Sequence, residues 1–209
     1  MLKIYDYKGF PNPTRARIAL AEKGLLDEVE FVPIDVPNGE HRLPTFREKN
    51  PSATVPVLEL EDGTCISECT AITEYVDHLV GEPVLTGRNA KERAVIHMMQ
   101  RRAEAGLLDA AATFFHHATP GLGPRIEDYQ NREWGEKNRE RAVASMRYLD
   151  QVLAAQPFLA GDRFTMVDIT AFAGLAYAAF AQIEIPAGLD RLASWRERIA
   201  SRASVLQAA

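Results

Sequence analysis

The segment Ser67-Glu68-Cys69-Thr70 stands at the predicted start of a helix, where it could bind a small charged molecule. Amide groups in the first turn of a helix have no intrahelical partner, and the helix dipole adds partial positive charge, so this position suits a carboxylate. The side chain of Glu68 could hold an ammonium group beside it. A ligand with both groups, such as an α-amino acid, would satisfy the pair. Simple capping of the helix by Ser67 explains the same pattern.

A second predicted helix start, Asn12-Pro13-Thr14, follows Tyr7 at the end of the first predicted strand. Asparagine is a common N-cap residue, and proline is favoured at the first helical position. A thiolate or another anion could bind here, because positive dipoles and hydrogen-bond donors lower the pKa of a thiol from about 8.5. A helix cap that binds nothing is the alternative explanation.

Val55-Pro56 opens a further predicted strand. Proline cannot donate a hydrogen bond to a sheet, so it belongs at the start of a strand or at an edge. A cis bond at this step would turn the backbone of Val55 outward, and an ordinary trans proline is the alternative.

Metal and disulfide chemistry find no support in the sequence. The two cysteines, Cys65 and Cys69, are predicted to lie in a strand and in a helix, which suits neither a redox pair nor a metal site. The histidines His97, His116 and His117 lack the spacing of metal ligands. We therefore expect no metal ion.

The elements that must position these residues change in character along the chain. Residues 1–79 begin with period-two alternation, followed by the helix TRARIALAEKG, which ends near Gly24, and a strand at 29–34. The stretch VPVLELEDGTCISECTAITEYVDHL then indicates a strand, an Asp62-Gly63 turn, a strand and a helix. The order β-α-β and then β-β-α predicts a thioredoxin-like α/β domain.

Residues 80–89 contain two glycines and a proline and are predicted to be a linker. Residues 90–209 are predicted to form an all-α domain. Within it, Thr165-Met166-Val167-Asp168 fits a capping box, which should start the helix that fills the core. The fold class is therefore α/β followed by all-α.

Composition narrows the functional classes. The 209 residues carry a formal charge of −5 and no basic run, which disfavours nucleic acid as a partner. Neither a signal peptide nor an apolar segment long enough to cross a bilayer is visible, so no membrane partner is expected. Two thiols without a disulfide framework favour the cytoplasm.

Taken together, three segments resemble the cytosolic glutathione transferase family: RARIALAEKGL, TVPVLELEDGTCISECTAITEYVD and LAGDRFTMVDITAF. The resemblance covers essentially the whole chain. It implies a thioredoxin-like domain, an all-α domain, a homodimer, and a cis bond between Val55 and Pro56.

The resemblance also implies how glutathione would bind. Val55, at the Val55-Pro56 step, would pair through its backbone with the cysteinyl residue of glutathione. Glu68 and Cys69 would hold the γ-glutamyl end, through the side chain and the helix-start amide. Cys69 replaces a common serine, which weakens a side-chain hydrogen bond. Relatives often bind the glycine carboxylate with a lysine or histidine before the Val-Pro step; here His41 or Arg42 is the substitute.

The residues offer three candidates for the group that activates the thiol. Many bacterial relatives carry serine or cysteine where Phe10 stands, and phenylalanine cannot polarise a thiol. The segment RAEAGLLDAAATFFHHATPGLGP resembles an atypical fungal and bacterial branch that uses a water held by helix residues. We rank His116 with a water first, Tyr7 second and Thr14 third. The supporting stripe would contain Ala105, Asp109, Ala112 and His116.

The resemblance implies a glutathione S-transferase of the detoxification type, which joins the glutathione thiolate to small hydrophobic electrophiles. Glutathione would be a co-substrate, with no further cofactor. An acceptor pocket is expected to be lined by Phe10, Ala112, Phe114 and Phe115. The alternatives are a protein that binds glutathione or hydrophobic ligands without catalysis, and a glutathione-dependent peroxidase.

Overall fold

The computed structural model of the chain describes residues 1–209. It contains two compact units: Met1–Pro83 together with Ala203–Ala209, and Val84–Arg202. The boundary after Pro83 lies within the stretch 80–89, which separates the helices on either side of it.

The first unit is built on a four-stranded sheet. Its strands are β1 (Leu2–Asp6), β2 (Val29–Pro33), β3 (Val57–Glu59) and β4 (Cys65–Ser67), and its helices are α1 (Pro11–Glu22), α2 (Pro44–Arg47) and α3 (Cys69–Leu79). The strand order is β2-β1-β3-β4, with β1 parallel to β2 and both other pairs antiparallel. This order confirms the predicted thioredoxin-like fold.

The core of this unit lies where α1 and α3 cover one face of the sheet. It is formed by buried apolar side chains from both helices and three strands: Ile4, Ala16, Leu20, Val29, Leu58, Ile72 and Val76. Helix α1 ends where expected, because Gly24 adopts a φ of 68° and the amide of Leu25 bonds back to the carbonyl of Leu20 at 2.8 Å.

The second unit is helical, as predicted. It contains α4 (Ala90–Ala103), a π-helical turn (Glu104–Leu108), α5 (Asp109–Ala118), α6 (Arg132–Val152), α7 (Met166–Phe180) and α8 (Asp190–Ala200). Helix α7 is buried over most of its length, with Val167, Ala171 and Leu175 almost fully covered. It is therefore the central helix of this unit.

The start of α7 confirms the predicted capping box. The hydroxyl of Thr165 accepts from the amide of Val167 at 3.3 Å, and Oδ2 of Asp168 accepts from the amide of Thr165 at 3.0 Å. Oδ1 of Asp168 also accepts from Trp195 Nε1 at 3.1 Å and from the amide of Leu159 at 3.0 Å. One buried carboxylate thus ties the start of α7 to α8 and to the preceding loop.

The last helix, α9 (Ala203–Ala208), belongs to the first unit. It packs against α1, and the hydroxyl of Ser204 donates to the carboxylate of Glu22. The sequence-based division into 1–79 and 90–209 assigns this helix to the second domain. No local pattern in the sequence indicates which unit a short terminal helix packs against.

None of the helices combines the length and the apolar character needed to span a lipid bilayer.

Candidate functional site

Three predicted site segments meet at one edge of the sheet. Tyr5 pairs with Val57, and Val57 pairs with Ser67, in antiparallel register. Because β3 runs antiparallel to both β1 and β4, the end of β1, the beginning of β3 and the end of β4 all lie at the same edge of the sheet. Tyr7, Val55-Pro56 and Glu68 are therefore brought together.

The peptide bond between Val55 and Pro56 is cis, which confirms the expectation drawn from the family resemblance. The loop before it is fixed by Asn50, a buried side chain whose Nδ2 donates at 2.9 Å to the carbonyl of Thr54 and at 2.9 Å to its hydroxyl. The Val55 backbone is thus presented from an ordered loop.

Glu68 occupies the position just before α3 and has an unusual backbone conformation. Its φ of 70° lies in the left-handed region, which is unfavourable for a residue with a side chain. Its carboxylate is exposed and makes no hydrogen bond or ion pair within the chain. The proposed cap by Ser67 is wrong, because Ser67 is the last residue of β4 and Glu68 takes the cap position without a side-chain hydrogen bond.

The start of α1 differs from the sequence prediction. The helix begins at Pro11 with Phe10 as its N-cap, so the assignment of Asn12 as the cap is wrong. Pro11 and Pro13 both fit the first turn, and the structure places the earlier one at the first helical position. Oδ1 of Asn12 instead accepts from Nη1 of Arg15 at 2.9 Å.

Two of the three candidate thiol-activating residues lie next to this helix start. The Tyr7 ring lies 4.4 Å from the Phe10 ring, and the Tyr7 hydroxyl makes no hydrogen bond within the chain. The hydroxyl of Thr14 donates to the carbonyl of Phe10 at 2.8 Å, so its proton is already used. Phe10 itself offers only an apolar ring.

His41 lies in a 3₁₀ turn, Glu40–Arg42, on the segment that leaves the carboxyl end of β2. It is 7% exposed, and its Nδ1 has no hydrogen-bond partner. Burial lowers the pKa of this imidazole, and the charges of Arg42 and Arg47 lower it further. His41 is therefore a neutral donor or acceptor near neutral pH, and the two arginines supply positive charge beside it.

His116, in α5, has both ring nitrogens occupied. Nδ1 lies 2.8 Å from Oε1 of Glu127, and Nε2 lies 3.1 Å from the hydroxyl of Tyr177. Oε1 of Glu127 also accepts from the amide of Leu122 at 2.8 Å. A water could bind to this imidazole only by displacing or sharing one of these partners. The role of His116 in thiol activation stays a prediction.

The predicted stripe along the helix is interrupted. The π-helical turn at Glu104–Leu108 has more residues per turn than an α-helix, so Ala105 leaves the register of Asp109, Ala112 and His116. Ala105 instead lines a groove with side chains of α4 and α6. The stripe is therefore wrong at Ala105.

The three acceptor-pocket residues predicted on α5 differ in exposure. Ala112 is half-buried, whereas Phe114 and Phe115 are buried, at 9% and 8% exposure. Arg139 of α6 lies 5.8 Å from the centre of the Phe114 ring. Phe115 faces Tyr177 and Phe180 of α7, with ring centres at 5.7 Å and 5.2 Å.

Sequence reasoning missed Glu127 and Tyr177, the two partners of His116. Glu127 lies in the loop after α5, and Tyr177 is 61 positions from the histidine. No local pattern indicates either contact. No group of three or more His, Cys, Asp and Glu side chains is placed to hold a metal ion.

The chain was compared with known proteins. Residues 11–79 match the family "Glutathione S-transferase, N-terminal domain", and residues 132–198 match "Glutathione S-transferase, C-terminal domain". Glutathione S-transferase 2 of Saccharomyces cerevisiae is 54% identical over 97% of this chain and 87% of its own length.

Two solved structures are similar over nearly their full length. A glutathione S-transferase domain-containing protein from Marinobacter aquaeolei is 60% identical with a TM-score of 0.96, covering 97% of this chain and 99% of that one. Gtt2 from Saccharomyces cerevisiae is 53% identical with a TM-score of 0.97, covering 99% and 100%.

Proposed function

Since this chain belongs to the glutathione S-transferase family, we propose that it conjugates the thiolate of glutathione to small hydrophobic electrophiles in detoxification. In such an enzyme, the protein must keep the thiol ionised near neutral pH and hold it in position for attack on the electrophile. Glutathione is the co-substrate in this proposal, and no further cofactor takes part.

The conformation of Glu68 is the observation that carries the proposal. A non-glycine residue at a φ of 70° is strained, and strain of this kind is concentrated at functional sites. The exposed carboxylate of Glu68 is available to a ligand. The first amides of α3 follow immediately, so an anion site and a cation site are adjacent. The γ-glutamyl group of glutathione carries an α-carboxylate and an α-ammonium group on one carbon atom, so it can bind both.

The other glutathione contacts follow from the same sheet edge. The outward backbone of Val55 would pair with the cysteinyl residue. His41 would bind the glycine carboxylate through its imidazole, whose Nδ1 has no partner within the chain, while Arg42 and Arg47 attract the negative charge.

The contacts favour Tyr7 as the donor to the thiolate over the two other candidates. The proton of the Thr14 hydroxyl is given to Phe10, and both nitrogens of His116 are occupied. Tyr7 has a hydroxyl with no partner and lies at the sheet edge where Val55 would bind the cysteinyl residue. A phenol that donates to a thiolate stabilises the charged form and lowers its pKa.

The test is a pH titration of the thiolate absorbance of glutathione in the presence of the purified protein. We expect the thiol pKa of bound glutathione to be at least one unit below that of free glutathione, since a single charge-assisted hydrogen bond has about this effect. Binding without a lowered pKa would contradict conjugation and would leave a non-catalytic binding protein. Comparison of 1-chloro-2,4-dinitrobenzene with cumene hydroperoxide as second substrate distinguishes conjugation from peroxidase activity.

We also propose that the chain forms a homodimer in the cytoplasm. The resemblance to the family supports the dimer. A groove of about 640 Å³ beside α4 and α6 is lined in part by Met98, which is 45% exposed. Neither cysteine forms a disulfide, which is compatible with a reducing compartment. Sedimentation should give twice the 23.2 kDa mass of one chain; a single-chain mass would contradict the dimer.

A further inference from the structure

Asn50 lies at the base of the loop that leads to Val55 and Pro56. It is 1% exposed and is the only buried residue in the segment 50–55. A buried amide is unfavourable unless its donors and its acceptor find partners. The partners of Asn50 therefore show which part of the protein this side chain holds in place.

The side-chain amide of Asn50 makes all of its hydrogen bonds to the loop itself. Nδ2 donates to the carbonyl and to the hydroxyl oxygen of Thr54, both at 2.9 Å, and Oδ1 accepts from the amide of Ser52 at 3.1 Å. An asparagine side chain has only two N–H donors, and both are used here. The side chain therefore acts on the loop and not as a donor to a ligand.

The loop held by Asn50 contains a strained residue, Ala53. Its φ of 52° lies in the left-handed region, which is unfavourable for a residue with a side chain. The amide of Ala53 donates to the carbonyl of Asn50 at 2.9 Å, so bonds from Asn50 are made on both sides of the strained position. Without the side-chain bonds, we expect this turn to relax and the backbone of Val55 to move with it.

The position of Asn50 is fixed by the sheet. Its backbone amide donates to the carbonyl of Phe46 at 3.0 Å, and the buried ring of Phe46 lies 6.4 Å from the ring of Tyr5 on β1. The neighbouring residue Lys49 forms an ion pair at 2.5 Å with the carboxylate of Glu59 on β3. Asn50 therefore connects the loop to two strands of the sheet.

We infer that Asn50 is a positioning residue for ionisation of the glutathione thiol. It holds the backbone of Val55 where the cysteinyl residue of glutathione binds, and this places the sulfur beside the hydroxyl of Tyr7. A hydrogen bond weakens steeply when its angle or length departs from the optimum, so a small movement of Val55 is enough to raise the thiol pKa. This inference rests on the proposed conjugation of glutathione and adds a residue that acts through Val55.

A purely structural role for Asn50 leads to a different expectation. Loss of a bonded, buried amide lowers stability wherever it lies in a protein. Asn138 of α6 provides the matched case, since it is 4% exposed and its Nδ2 donates to the carbonyl of Trp134 at 2.9 Å. Asn138→Ala should lower the melting temperature, as Asn50→Ala should, without changing the properties of bound glutathione.

The experiment measures the dissociation constant of glutathione by calorimetry and the thiol pKa of saturating, bound glutathione by its thiolate absorbance. Asn50→Ala should weaken binding about three- to tenfold, the effect of one impaired hydrogen bond. It should raise the bound thiol pKa by about half a unit, which is part of the effect of one hydrogen bond to the thiolate. Asn138→Ala should change the affinity less than about twofold and leave the thiol pKa as in the wild-type protein.

Thr54→Val is a milder change, at an exposed residue, that does not depend on the folding of Asn50→Ala. It removes one of the two acceptors of Asn50 and should weaken glutathione binding about two- to threefold. In an Asn50→Ala background it should have no further effect, because the hydroxyl acts through Asn50. Unchanged affinity in Thr54→Val, or an equal effect in both backgrounds, would overturn the positioning role.

Three results for Asn50→Ala would also overturn it. The first is an affinity and a thiol pKa equal to those of the wild-type protein, and the second is a set of changes that Asn138→Ala shares. The third is weaker binding with an unchanged thiol pKa, which would limit Asn50 to binding. Failure of the wild-type protein to bind glutathione or to lower its thiol pKa would instead overturn the proposed function.

Discussion

The sulfur of Cys69 lies 3.3 Å from the carbonyl oxygen of Asn12, so the first residue of α3 is joined to the first turn of α1. The two helices follow the ends of β1 and β4, at the edge of the sheet where Tyr7, Val55 and Glu68 lie. A thiol is a weak donor, and this contact replaces the hydroxyl bond that serine would make. The thiol is therefore used within the protein, and the adjacent amide remains for a ligand.

Replacement of Cys69 separates the role of its thiol, which contacts Asn12, from the role of its backbone amide, which would bind glutathione. Cys69→Ala should lower the free energy of unfolding by about 1 kcal/mol, because a buried side chain and its contact with α1 are lost. The dissociation constant of glutathione should change less than about twofold, since the amide holds the carboxylate. A tenfold loss of affinity, measured by calorimetry, would instead assign the binding to the thiol. Cys69→Ser is the matched control and should retain the link to Asn12.

Glu68→Gln removes the charge and keeps the shape of the side chain. A charge-assisted hydrogen bond to the ammonium group of glutathione is worth roughly 1.5–3 kcal/mol, so affinity should fall about tenfold or more. The melting temperature should change little, because the carboxylate has no partner in the chain. Glu48→Gln, another exposed carboxylate of the first unit, should leave both quantities unchanged. Unchanged affinity in Glu68→Gln would exclude this carboxylate from the site.

Tyr7→Phe tests the activating hydroxyl. Loss of one hydrogen bond to the thiolate should raise the thiol pKa of bound glutathione by about one unit, which corresponds to about 1.4 kcal/mol. The thiolate absorbance titration measures this directly. Tyr129→Phe, at an exposed ring of the second unit, is the control and should titrate as the wild-type protein does. A larger rise in His116→Ala than in Tyr7→Phe would restore the water-based mechanism.

Local signals were sufficient for the topology of the first unit. Period-two alternation, the glycine at 24 and the Asp62-Gly63 turn mark the ends of elements, and their order allows few arrangements of the sheet. The start of α1 was misplaced because Pro11 and Pro13 both satisfy the preference for proline in the first turn. The choice between them depends on contacts that the sequence does not display.

The interior of the second unit was less predictable. The π-helical turn contains Gly106, where an added Cβ would lie 2.9 Å from the hydroxyl oxygen of Ser145 on α6. The turn therefore forms at a close contact between helices, and helical periodicity alone could not indicate it. The partners of His116 come from a loop and from a distant helix, so the sequence identified the histidine but not its hydrogen bonds.

Gly121→Ala should disrupt the Glu127–His116 contact without changing either residue. Gly121 has a φ of 57°, and an added Cβ would lie 2.1 Å from Oε1 of Glu127, so that carboxylate must move. We expect a loss of roughly 1–2 kcal/mol from the backbone and about 1–3 kcal/mol more from the broken hydrogen bonds. Urea denaturation measures the sum.

Gly123→Ala is the matched control for this prediction. Its φ of 93° is also unfavourable for a residue with a side chain, but an added Cβ there meets no atom within 4 Å. The difference between the two variants isolates the contribution of Glu127. If Gly121→Ala and Gly123→Ala are destabilised equally, the carboxylate of Glu127 moves aside without a loss of stability.

Asp168 makes the stability of the second unit depend on pH. Burial raises the pKa of its carboxyl from 3.8 to about 6, although four hydrogen bonds to the carboxylate act in the opposite direction. Between these two values the folded protein holds a proton that the unfolded chain has released. The stabilisation by this bound proton is therefore complete below the pKa of the unfolded chain, 3.8, and is lost as the pH rises through about 6, the pKa in the folded protein.

Asp168→Asn removes this titration. The variant should be less stable than the wild-type protein at every pH, because an amide nitrogen cannot accept from the donors that surround the carboxylate. The difference in free energy of unfolding should narrow by about 2 kcal/mol between pH 4.5 and pH 7, as expected from the pKa difference. Thr170→Val, an uncharged change at a buried polar residue of α7, should show a constant difference over the same range. If the difference in free energy of unfolding between Asp168→Asn and the wild-type protein is also constant over this range, the carboxyl has the same pKa in the folded and unfolded states. Its hydrogen bonds would then balance the effect of burial.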